Sequence, residues 1–101
     1  MKRMINANDL PNFDVSDYLE DADAIAEYLT VVLEDGDPAL LIAAIGDIAR
    51  AKGMSEVSRE SGLAREALYK ALRAGSQPRF DTVMRVLKTL GVRLVAQPMT
   101  A

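Results

Sequence analysis

The side chains best suited to contact a polyanion lie together in the run REALYKALR: Arg65, Glu66, Tyr69, Lys70 and Arg73. On a helix their spacing brings all five to one arc, while Leu68, Ala71 and Leu72 fall on the other. An arginine fork can take guanine O6 and N7 together, and a carboxylate can accept from cytosine N4. Arg65 and Glu66 are therefore candidate readers of major-groove base edges, with Tyr69 placed to stack on a sugar or touch a thymine methyl. Lys70, Arg73, Ser55 and the helix N-termini are candidates for holding phosphates, contacts that orient a protein on DNA without reporting its sequence.

Such an arc needs an element that presents it at an angle, and the preceding GMSEVSRESGL supplies one. Ser55 is a good N-cap for a short helix over EVSRES, with Val57 inward and Ser58 small where two helices would cross. Gly62 ends that helix where positive φ is tolerated, and Leu63 returns an apolar side chain to the core. The spacing predicts a helix-turn-helix over about 55–73. An ordinary αα-hairpin with a solvated basic face is the alternative reading. Ala64 stands where Ser or Thr would cap the second helix better, at a cost of about 1 kcal/mol.

Around this centre the chain reads as a helical bundle. Residues 1–12, rich in Asn and with Pro11, suggest an extended arm. In FDVSDYL, Asp14 can cap a short turn carrying Val15, Tyr18 and Leu19. Ile25, Tyr28, Leu29, Val32 and Leu33 form a helical stripe over about 22–34, closed by Gly36. Asp37-Pro38 starts a second helix running to Gly53, with Leu41, Ile45 and Ile48 in one stripe and Leu40, Ala44 and Ala49 beside it. The small Ala43, Ala44 and Gly46 would let a neighbour approach closely. After the turn-rich AGSQPRF, a last helix carries Phe80, Val83, Leu87 and Leu90 and ends at Gly91. VRLVAQP alternates briefly, which predicts a short strand at 92–95 that would pair across a dimer or with another protein, with a plain extended tail as the alternative. The expectation is an all-α bundle of about five helices: a single domain over 13–95, a tail at 96–101 and a short C-terminal strand.

Composition narrows the function. The 101-residue chain has neither Cys nor His, which removes disulfides, thiol chemistry, the usual zinc and haem ligands and the commonest general base. Carboxylates such as Asp21 and Asp23 have no neighbouring constellation to give them catalytic work, so neither an enzyme nor a cofactor or metal site is expected. No apolar run approaches a membrane span, and the opening MKRMINANDLPNFD lacks the apolar stretch of a secretory signal, so a cytoplasmic protein is expected. The net charge is −3, but unevenly spread. Residues 1–50 hold 11 acidic and 3 basic side chains, a charge of −8; residues 51–101 hold 4 and 9, a charge of +5. Opposite signs suit two different partners, the basic half facing nucleic acid; two ordinary solvated faces are the bland alternative.

The segment from DGDPALLIAAIGDIARAKGMS through REALYKAL to GVRLV resembles the probable addiction-module antidote family, antitoxins with a repressor-like helix-turn-helix akin to HigA-type antidotes. FDVSDYL and IAEYLTVVLEDGDP also fit, so the resemblance covers roughly residues 13–95. It implies a lambda-repressor-like fold, dimeric operator binding, repression of its own operon and neutralisation of a co-encoded RelE/ParE-like toxin. By motif, Arg65, Glu66, Tyr69, Lys70 and Arg73 inherit the recognition-helix role, and Ser55 the start of the preceding helix. Ser58 replaces a more usual Ala and Ala64 a more usual Ser, which removes a hydroxyl that could meet a phosphate. Ribonuclease toxins tend to be basic, so Asp17, Glu20, Asp21, Asp23 and Glu27 are candidates for a complementary toxin surface, anchored by Phe13 and Tyr18. A stand-alone repressor without a toxin, and a helical interaction module that does not bind DNA, are the competing functions.

Overall fold

Two aspartates start the first two helices. In the computed structural model, which describes residues 21–100, Asp21 and Asp37 stand in extended backbone at N-cap positions. Asp21 accepts the Asp23 N–H at 3.1 Å and Asp37 the Ala39 N–H at 3.0 Å, satisfying donors that the first turn leaves without intrahelical acceptors. They open α1 (Ala22–Asp35) and α2 (Pro38–Lys52). The turn between them is closed by Gly36, whose N–H donates to the Leu33 carbonyl. Three shorter helices follow: α3 (Met54–Ser61), α4 (Arg65–Ala71) and α5 (Phe80–Thr89). Among the described residues these five helices are the only regular elements, as expected for an all-α bundle.

α1 packs on α2, and α3, only eight residues long, packs against α2, α4 and α5. The core follows from that layout. Ile25, Leu29 and Val32 of α1 meet Ala44, Ile45, Ile48 and Ala49 of α2; Met54 and Val57 carry the contact through α3 to Leu68, Leu72, Val83, Val86, Leu87 and Leu90. Val57, Leu68 and Ile45 have no exposed surface, and burial of each large aliphatic side chain contributes about 1.5–3 kcal/mol. Every buried side chain among the described residues is apolar, so their charge lies on the surface. None of the described helices is long and apolar enough to cross a membrane.

The structure departs from the sequence expectations at the margins of the stripes. Tyr28, Leu33 and Leu40 are exposed, because the seam between α1 and α2 is narrower than the full set of apolar positions. Phe80, expected inward, is 68% exposed at the first position of α5. Within the single chain residues 92–100 carry no strand; the pairing expected of 92–95 is one that a partner chain would have to supply. The alternation there has a cause within the chain, since Val92 and Leu94 pack against the core while Arg93 and Val95 face outward. Within the chain, inward apolar contact places this segment.

Candidate nucleic-acid interface

The α3–α4 turn is held by its serines. Gly62 adopts φ +79°, the left-handed conformation that costs glycine least, and its N–H caps α3 by donating to the Ser58 carbonyl. The Ser58 hydroxyl donates to the Leu63 carbonyl at 2.5 Å, and the Ser61 hydroxyl accepts the Leu63 N–H at 3.2 Å. Both backbone groups of Leu63 are thus satisfied while its side chain packs against the core. Sequence reasoning credited Ser58 only with being small; the signal for its second role is a short hydroxyl beside a turn.

Ser55 is not the N-cap of α3. Gly53 occupies that position without a side-chain cap, and the helix opens two residues early, at Met54. Starting there buries Met54, 6% exposed, and that burial, worth about 1.5–3 kcal/mol, outweighs a cap worth about 1 kcal/mol. Ser55 remains exposed in the first turn.

α4 divides as its spacing demands. Leu68 is fully buried beneath it and Leu72, its C-cap, is 2% exposed, while Arg65, Glu66, Tyr69 and Lys70 lie exposed on the helix. Arg73 lies beyond the last turn instead of on the helical arc: α4 ends at Ala71, whose carbonyl accepts the Ser76 hydroxyl instead of continuing the helix. Arg73 nonetheless lines the same groove as the other four residues. Within that groove Arg65 is not loose. Its Nη2 donates to the Tyr69 hydroxyl at 3.0 Å and its guanidinium carbon lies 5.4 Å from the ring centroid, a combined hydrogen bond and cation–π contact across one helical turn.

The sixth residue of the groove, Arg50 at the end of α2, was missed in the sequence. A Cβ added at Gly46 would lie 3.0 Å from the Leu72 carbonyl oxygen and 3.1 Å from Arg50 Nη1. The absent side chain therefore lets the end of α4 come down onto α2 beside Arg50. The signal was present: Gly46 and Arg50 are four apart, hence on one face, and a small residue on a helix face marks close approach. The groove carries four cations, Arg50, Arg65, Lys70 and Arg73, against the single carboxylate of Glu66. Such a surface concentrates a polyanion.

The acidic candidates are less united. Asp21 has the capping role described above, and Asp23 and Glu27 are exposed on α1. Phe13, Asp17, Tyr18 and Glu20 lie outside the described residues. At the start of α5, Asp81 accepts from Arg79 Nε at 3.1 Å, and that hydrogen bond, foremost, holds its exposed carboxyl below the ordinary value of 3.8.

The family model described as probable addiction module antidote protein matches residues 9–98. The chain belongs to that family. A relative in Haemophilus influenzae, strain Rd, carried as an uncharacterized protein, is 42% identical over 88 residues, covering 87% of this chain and 91% of the relative. No solved structure matches. An antidote acts by binding a toxin, so membership of the antidote family supports an antitoxin role and points to a regulatory protein with a toxin partner.

Proposed function

We propose that the chain is the antitoxin of a type II toxin–antitoxin module, a HigA-like homodimer that binds its own operator through a lambda-repressor-like helix-turn-helix and neutralises a co-encoded RelE/ParE-like toxin. The observation that carries the DNA-binding half is the groove along α4, where Arg65, Tyr69 and Lys70 of the helix and Arg73 beyond its end are exposed around Glu66 while Leu68 and Leu72 seal the underside. On this reading Arg65 and Glu66 meet base edges, Tyr69 lies against a sugar or a thymine methyl, and Lys70, Arg73 and Ser55 hold phosphates. A two-fold dimer would set two such faces into major grooves about 34 Å apart. The toxin half rests on the family, with Asp21, Asp23 and Glu27 on the described surface available to a basic partner.

Three measurements test this. Fluorescence anisotropy with the duplex upstream of the chain's own reading frame, against a random duplex of equal length, should show tighter binding to the former. If each protomer neutralises about three phosphates, log affinity should fall with log salt at a slope of roughly −5. Equal affinity for both duplexes would sink sequence-specific repression. Co-expression with the adjacent reading frame should restore growth and yield a co-purifying complex; neither outcome appearing would remove the antitoxin role. Deleting residues 1–20 and measuring toxin and DNA binding separately tests the acidic surface, since unchanged toxin affinity would exclude Phe13, Asp17, Tyr18 and Glu20.

A further inference from the structure

Arg50 is the one cation of the α4 groove that α2 contributes, and nothing in the recognition-helix pattern assigns it a role. Its guanidinium lies against Gly46, on the same side as the Leu72 carbonyl, so that although partly exposed it borders the end of α4. Its partner is Asp47, whose Oδ1 lies 3.4 Å from Nη1, with the two side chains 47% and 70% exposed for Arg50 and Asp47 respectively. A long, exposed pair of this kind is weak. A guanidinium has five N–H donors, and this contact engages one of them. The same groove is lined by Lys70 and Arg73, so an anion entering it meets several positive charges, one of which, Arg50, is paired with Asp47.

We infer that the α2–α4 groove binds a DNA backbone phosphate flanking the bases read by α4, and that Arg50 holds it by exchanging its Asp47 contact for the phosphodiester. This rests on the DNA-binding reading above and extends it to a residue outside the helix-turn-helix. With Lys70 and Arg73, Arg50 completes three phosphate-directed cations per protomer. Asp47 acts as a brake, competing for Arg50 and repelling the incoming phosphate. The contact carries no sequence information, so its loss falls equally on all DNA.

The test is anisotropy with the full chain on its upstream duplex and on a random duplex, across a range of salt. R50Q should weaken both alike and reduce the magnitude of the salt slope by about one per protomer, from roughly −5 to roughly −3 for the dimer. R50K, which keeps the charge, should retain the slope. D47N should tighten binding to both duplexes about two- to fivefold, a gain that damage to the fold would not produce. Thermal melting of each variant separates a lost contact from a lost fold. An unchanged slope in R50Q, or an unchanged affinity in D47N, overturns the assignment while leaving operator binding intact. Failure of the unaltered chain to bind either duplex overturns the DNA-binding reading itself, and this inference with it.

Discussion

Ala64→Ser should stabilise the protein, and the amount follows from the geometry of α4. Ala64 is the N-cap of that helix, with φ −62° and ψ 146°, extended backbone that a capping serine adopts without rearrangement. No side chain caps α4, so the first-turn N–H groups of Glu66 and Ala67 lack a side-chain acceptor. An Oγ at position 64 reaches one of them, as Asp21 and Asp37 do at 3.1 and 3.0 Å for α1 and α2. The expected gain is about 1 kcal/mol. For a domain of this size that raises Tm by about 4–8 °C. The reverse change at a working cap, Asp37→Ala, should lose about the same. Urea unfolding followed by circular dichroism measures both, with the slope on urea unchanged. Ala64→Gly supplies the sign control: at an N-cap it is tolerated, whereas inside a helix it costs about 1 kcal/mol. A neutral or destabilising A64S together with a costly A64G would refute the reasoning, because residue 64 would then lie within the helix. A64S should also tighten DNA binding without altering the salt slope, since the added hydroxyl is uncharged.

Leu68→Ala removes a side chain with no exposed surface from the seam under α4 and should cost about 2–5 kcal/mol, read as a lower urea midpoint. Arg65→Ala should relax base preference, whereas Lys70→Ala should weaken binding to all duplexes alike; equal loss on operator and random DNA after R65A would remove Arg65 from base reading. Asp81 titrates below 3.8 in the folded chain because Arg79 donates to it, so its contribution to stability is present above its unfolded value and is lost as pH falls through the folded one. Arg79→Ala should return the Asp81 midpoint toward 3.8 in an NMR titration, and an unmoved midpoint would clear Arg79 as the cause.

Much of the bundle was legible because its punctuation is local. Asp37-Pro38, Gly36 and Gly62 act through the backbone of their own turns, so each helix boundary they mark lies close to its expected place. Ser55 shows the limit of that logic: its cap preference is local, but the burial of Met54 that displaced it depends on the helices packed around α3. Phe80 and Leu40 carry the right periodicity for their helices, yet no seam among the described helices covers them. At Val92 and Leu94 the alternating pattern reported inward apolar contact, which the chain makes without a strand of its own. Period-two burial does not require a ladder.

For the candidate site the division is equally physical. The outward arc of Arg65, Glu66, Tyr69 and Lys70 is a property of the sequence, since 3.6 residues per turn orders side chains on a helix whatever surrounds it. The sign of each half of the chain, and the inventory without Cys or His, were also settled before any fold was known. Only the tertiary structure decided that Arg73 stands beyond the helix yet lines its groove, and that Arg50 joins it there from α2. Those placements depend on how closely two helices approach, which Gly46 sets against the Leu72 carbonyl. A distance between residues 26 positions apart has no local signature; it emerges only when the core closes.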